Sequence, residues 1–238
     1  MRGPRRQAWR FADWDFVTLQ QSRLYDVLMR LPMLIWSAFL GLASVVVLQE
    51  YVRQAEPGLP VVVYILNIAM RLSVIVYLVV IAATVVVRMR PARKARGVEP
   101  RISALIGTFL LTVVVVFPRR DLSMLAGLVS AVLTLGGNTF AVVVLTQLRQ
   151  SFSIMAEARQ LVTEGVYRMV RHPLYLAEEI AAIGIVMQFF SLSTAAILAV
   201  QIGFQLQRMR NEELVLAETF PEYLAYSART ARILPGIY

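Results

Sequence analysis

An all-α polytopic membrane bundle, with about six transmembrane helices and a cytoplasmic C-terminal helical tail, is the fold that three observations predict. Of 238 residues, 58% are hydrophobic and only 16% are charged, and the mean hydropathy is +0.64, too apolar for a soluble globule of this size. The apolar residues fall into runs near the roughly 20 residues that a bilayer-crossing helix needs. The net charge of +9 comes mostly from arginines placed between those runs. That pattern fits orientation in an anionic membrane better than nucleic-acid binding. With no cysteine and a single histidine, disulfides, thiolate sites and a conventional zinc site are not expected.

Residues 1–30 are basic and aromatic (Arg2, Arg5, Arg6, Trp9, Arg10, Trp14, Arg23, Arg30) and contain no apolar core. They are expected to lie along the cytoplasmic surface, without a cleavable leader. Residues 31–146 read as a four-span scaffold. Its runs are Leu31 to Leu48, Val61 to Val87, Ile102 to Phe117 and Leu122 to Leu145. The second exceeds a bilayer's need and is expected to tilt or project. It contains Arg71, one helical turn after Asn67, and an arginine at that depth should face the bundle interior and find a partner. The loop from Arg88 to Arg101 holds six basic residues and one acid, Glu99, which marks it as cytoplasmic. A tight Pro118-Arg119-Arg120-Asp121 turn joins the third and fourth runs. Gly136, Gly137 and Asn138 in the fourth permit close helix packing or a local break.

Residues 147–238 read as two more spans and a tail, one domain with the scaffold. A polar stretch from Gln147 to Arg171 leads to a fifth span at Pro173 to Phe190, and a Ser191-Leu192-Ser193-Thr194 turn leads to the sixth. Both termini are then expected on the cytoplasmic side. Gln201, Gln205, Arg208 and Glu212 recur at helical spacing, so one polar stripe should point into the bundle. Glu178 and Gln188 share a face of the fifth helix, and the two helices can enclose a polar pocket where Arg171, Arg208, Glu212 and Glu213 gather.

The chemistry concentrates at Arg171-His172-Pro173-Leu174-Tyr175-Leu176-Ala177-Glu178-Glu179. Pro173 suits a first helical position and pushes His172 toward an extended conformation. Tyr175 then shares a face with Glu178 or Glu179. Arg171 and the helix N-terminus together can hold a carboxylate or phosphate. The plainer alternative is that Arg171 snorkels to lipid phosphates, the glutamates cap the helix dipole and the polar stripes only join helices.

From about Leu148 to the C-terminus the chain resembles integral membrane methyltransferases related to isoprenylcysteine carboxyl methyltransferase and the bacterial phospholipid methyltransferases. The resemblance rests on Arg149-Gln150-Ser151-Phe152-Ser153, Leu161-Val162-Thr163-Glu164-Gly165-Val166-Tyr167, Arg171-His172-Pro173-Leu174-Tyr175-Leu176 with Glu178, and Glu212-Glu213 followed by Phe220, Glu222, Tyr223, Tyr226, Arg229 and Pro235. Ala177 stands where the family often has glycine, and Pro221 likewise. The resemblance implies S-adenosylmethionine as methyl donor and a lipophilic acceptor that arrives from the lipid bilayer. It implies cofactor binding by Arg171, His172, Tyr175, Glu178, Glu212 and Glu213, and catalysis by Arg171, Glu178 and Arg208. No metal or nucleic-acid partner is implied. Two other classes stay open: an NADPH-dependent membrane reductase of the sterol-reductase type, and a non-enzymatic transporter or scaffold. The region after the motif has few arginines to spare for a dinucleotide's extra phosphate, and no paired broken helices mark a transporter.

Overall fold

The computed structural model describes residues 23–54 and 58–236. The surface placement expected for residues 1–30 lies largely outside the described residues. The described residues are helical for the most part. Helix α1 (Arg23–Leu28) precedes α2 (Leu31–Arg53), α3 (Val61–Val87), α4 (Glu99–Phe109), α5 (Met124–Leu148), α6 (Pro173–Gln188), α7 (Leu192–Thr219) and α8 (Tyr223–Arg229).

Local chemistry sets most of the helix bounds. Pro60 closes the loop before α3, and a run of β-branched and aliphatic residues continues the helix to Val87. Pro100 in its first turn lets α4 begin three residues before the expected Ile102. Residues Leu110–Val116 then tighten into a 3-10 helix, so the third apolar run is two helical types rather than one. Ser123 caps α5 by accepting from the Ala126 N–H at 3.3 Å. Ser191 and Thr194 form a capping box for α7, so Leu192, Ser193 and Thr194 lie within its first turn rather than in a separate connection. Helix α7 has 28 residues, about 42 Å at 1.5 Å per residue, and carries Glu212 and Glu213 within it rather than in the tail.

Four segments are long and apolar enough to cross a membrane: Asp26–Arg53, Val61–Val87, Glu99–Val116 and Met124–Ser151. The chain is an integral membrane protein. On α2 only Met33 and Ser37 are buried, while Ile35, Leu42 and Val46 face outward as a lipid-contacting helix requires. Helix α6 has 16 residues and α7 is interrupted by charge, and neither meets that length and hydropathy on its own.

Helix α6 packs along α5, and the small residues make the approach possible. A side chain at Gly137 would collide with the Ala181 nitrogen and meet the Ala177 carbonyl at 2.7 Å. A side chain at Gly184 would meet Thr134 Oγ1 at 2.5 Å. Ser130 Oγ donates to the Gly184 carbonyl at 2.7 Å across the same contact. The expected glycine-mediated packing is therefore centred on Gly137; nothing lies within 4 Å of a side chain at Gly136.

Two sets of contacts define the ends of the bundle. At one end the Arg120 N–H donates to the Gln188 carbonyl at 2.8 Å and Arg120 Nε to the Phe190 carbonyl at 2.9 Å, which joins the α4–α5 and α6–α7 connections. At the other, two-residue strands β1 (Arg93–Lys94) and β2 (Glu157–Ala158) pair antiparallel. Asp26 there accepts from Arg30 at 2.7 Å and Arg88 at 3.2 Å. The basic loop from Arg88 to Arg101 and the segment leading to the motif thus share one end.

Candidate functional site

The motif begins at that end. Pro173 occupies the first turn of α6, as its fixed φ favours. His172 has φ −126° and ψ 57°, less extended than a pre-proline residue usually is. Tertiary pairing explains the departure. The Arg171 N–H donates to the Ala231 carbonyl at 2.8 Å and the His172 N–H to the Arg232 carbonyl at 3.0 Å, so the tail lies against the motif like a short parallel strand.

Glu213 fastens this junction. Its carboxylate accepts from Arg232 Nε at 3.0 Å and from a terminal guanidinium nitrogen of Arg232 at 2.6 Å. It lies 3.0 Å from His172 Nε2 and 3.4 Å from Arg171 Nε. Arg171 also donates to the Ser227 carbonyl at 3.3 Å. The tail tyrosines complete the packing. Tyr226 Oη donates to the Tyr167 carbonyl at 2.7 Å, and burial pushes its pKa up to about 12, so it remains a neutral donor. Burial also raises Tyr223, with the Glu213 charge adding to the effect. Gly165 has φ +60°, and a side chain there would strike Gln147 Oε1 at 2.4 Å. That oxygen accepts the Val166 N–H at 3.1 Å and anchors the loop to α5.

A cavity of about 920 Å³ opens beside this junction and runs along the bundle. Arg171, His172, Tyr175, Glu178, Arg208 and Glu212 all line it, and so does the expected stripe of Gln201 and Gln205. Tyr175 Oη donates to Glu212, and the Tyr175 ring meets His172 edge-on at 5.5 Å. Arg208 is buried, with Cζ 5.0 Å from the centre of the Tyr175 ring. Its terminal nitrogens donate to Gln205 Oε1 at 2.7 Å and the Ile154 carbonyl at 3.0 Å. Glu178 accepts from Tyr77 Oη at 2.8 Å and from Gln205 at 3.4 Å. Glu179 turns aside to Gln201, at 2.9 Å, and Glu213 lies outside the cavity lining.

Ala177 is fully buried against α5 and does not line the cavity, so its methyl group does not narrow it. Gly107 does the complementary work on α4, where a side chain would meet Arg208 Cδ at 2.9 Å. Sequence reasoning missed Tyr77, Gly107 and Arg232. Tyr77 stands in an otherwise apolar run and its partner Glu178 is 101 positions away, so no local pattern marks it.

The six cavity-lining groups come from the two residues before α6, from α6 and from α7, all within residues 128–218, which carry the family signal. That segment matches the family model described as the isoprenylcysteine carboxyl methyltransferase family. The resemblance read from the motifs is this family. Two curated relatives align with part of the chain. The nickel-cobalt-cadmium resistance protein NccN of Alcaligenes xylosoxydans xylosoxydans is 34% identical over 82 residues, which are 34% of this chain and 38% of that protein. The cobalt-zinc-cadmium resistance protein CzcN of Cupriavidus metallidurans is 36% identical over 78 residues, which are 32% of this chain and 36% of that protein. The aligned part thus spans little more than a third of either relative's length, and their names give no methyl acceptor. Among the described residues, no group of three or more His, Cys, Asp or Glu side chains is placed to hold a metal ion.

Proposed function

We propose that the chain is an S-adenosylmethionine-dependent methyltransferase that acts on a lipophilic or membrane-associated acceptor. The observation that carries this reading is the convergence of Arg171, His172, Tyr175, Glu178, Arg208 and Glu212, within or beside the family-matched segment, on one end of a largely apolar cavity. The donor set suits the methyl donor. Arg208 Nε is buried without a hydrogen-bond partner, which leaves guanidinium capacity for a carboxylate, while Arg171 Nε already faces Glu213 at 3.4 Å. Glu178 and Glu212 offer acceptors for an ammonium or ribose hydroxyls, and Tyr175 offers an aromatic face. When bound, the cofactor supplies an already activated methyl group.

The protein's own part is positioning and exclusion of water. In this reading Arg171, His172, Tyr175, Glu178 and Glu212 hold the cofactor. Glu213 acts as a positioning residue, by fixing Arg171 and His172 and closing the tail over them. Arg208 keeps Tyr175 and the Ile154 loop in place. Glu178, steadied by Tyr77 and Gln205, stands where a carboxylate could take a proton from an acceptor that carries one; a carboxylate or thiolate acceptor needs no such step. We place six crossings in the membrane, since α6 and α7 run between the same two ends as the four apolar segments. Both termini are then cytoplasmic, in a bacterial inner membrane, with the site opening on that side.

The test is transfer of radiolabelled methyl groups from S-adenosylmethionine to the organic-extractable fraction of membranes incubated with the purified protein. Label should accumulate with the wild-type chain and fall to background with Arg171→Ala. Background label with the wild type, across carboxylate, thiol and amine lipids, would count against the assignment.

A further inference from the structure

Arg71 and Arg119 at the far end of the cavity form a site that the methyl-transfer chemistry does not use. We propose that this end receives the anionic headgroup of an amphiphile whose hydrocarbon chain lies in the apolar middle of the same cavity. Arg71 is ten residues into α3, about 15 Å from its start, at a depth where a cation must be compensated. Its side chain leans toward the helix N-terminus and so toward the far end. The guanidinium carbon stands 4.3 Å over the Tyr51 ring, which compensates a cation only in part. Arg71 Nε is buried without a hydrogen-bond partner, and among the described residues no carboxylate lies within ion-pair distance. The arginine expected to face inward does so, against a ring rather than an acid.

Arg119 lines the same end, with its guanidinium carbon 5.5 Å from the Phe189 ring. Glu50 is the acid that shares this end, and its carboxylate accepts from Gln54 one turn along α2. Among the described residues that line this end, two cations with one engaged acid favour an anion. The walls that lead away from them, including Phe39, Leu40, Val74 and Ile185, are apolar and suit a hydrocarbon chain rather than a free inorganic ion. Along α3, Arg71 and Tyr77 are six residues apart, about 9 Å of rise, so a ligand held at Arg71 can reach the level of Tyr77. The binding of this amphiphile does not rest on the proposed function.

The experiment measures binding of dodecyl phosphate, dodecyltrimethylammonium and inorganic phosphate by the full-length chain in a neutral maltoside detergent. Wild type, Arg71→Ala, Arg71→Lys, Arg119→Ala and the double alanine variant are compared. Saturable binding of dodecyl phosphate is expected, weakened about tenfold or more by Arg71→Ala, partly restored by Arg71→Lys and lost in the double variant. S-adenosylmethionine binding measured on the same samples should be unchanged, which shows that the variants are folded. Equal affinity for the cationic amphiphile, equally tight inorganic phosphate, or undiminished dodecyl phosphate binding by the double variant would overturn the proposal. Dodecyl phosphate binding without any S-adenosylmethionine binding would uphold this site and remove the proposed function; the reverse would do the opposite.

Discussion

Replacing Glu213 with alanine is expected to lower the unfolding free energy by about 3–5 kcal/mol and to release the C-terminal tail. The Glu213 side chain is 12% exposed and serves Arg232, Arg171 and His172 at once. Its removal leaves two guanidiniums facing each other, with side chains only 16% and 22% exposed and no anion between them. The backbone hydrogen bonds from Arg171 and His172 to the tail remain, as do those of Arg171 with Ser227 and Tyr226 with Tyr167, and they hold the tail only in part against that repulsion. Thermal unfolding in detergent and limited trypsin cleavage after Arg229 check this. The variant should melt earlier and be cut faster, with Glu213→Gln between it and wild type. Unchanged melting and an intact tail would show that the carboxylate does not fasten the junction.

Arg208→Met should weaken S-adenosylmethionine binding by about tenfold or more, at a stability cost of about 1–3 kcal/mol. Methionine fills much of the same volume, but the Ile154 carbonyl and Gln205 Oε1 lose their donor inside the bundle. The Tyr175 ring loses the cation that stands 5.0 Å away. Arg208→Lys keeps a charge without the planar fork, so it should recover stability more than affinity. Calorimetric titration beside thermal melting separates the two effects. Wild-type affinity in Arg208→Met would remove Arg208 from the site.

The elements that could be read from sequence are those whose signal is local. Helix α3 keeps its expected bounds because an aliphatic run is closed by Pro60 on one side and a basic, proline-containing stretch on the other. The stripe of Gln201, Gln205, Arg208 and Glu212 could be read because helical periodicity alone puts the four on one face. Pro173 marked the start of α6 for the same kind of reason.

What stayed hidden depends on contacts between distant segments. Tyr77 meets Glu178 across 101 positions, and nothing near Tyr77 in the chain announces it. Glu213 looked equivalent to its neighbour Glu212, yet their directions on α7 send one to the tail and the other to the cavity. Ala177 sits in the motif but faces Gly137 of α5, a partner forty residues earlier, and so bears on packing rather than on the site. The 3-10 turn after Phe109 is likewise invisible in an unbroken apolar run.

The central claim is that the cavity end between α6, α7 and the tail holds S-adenosylmethionine. Calorimetric titration of S-adenosylmethionine, and separately NADPH, into the detergent-purified wild type and Glu212→Ala tests it most directly. Saturable S-adenosylmethionine binding, weakened by about 1–3 kcal/mol in Glu212→Ala, with no NADPH binding, is the predicted result. Binding of NADPH alone would assign the bundle to the reductases, and binding of neither would leave the polar stripes as helix-to-helix contacts.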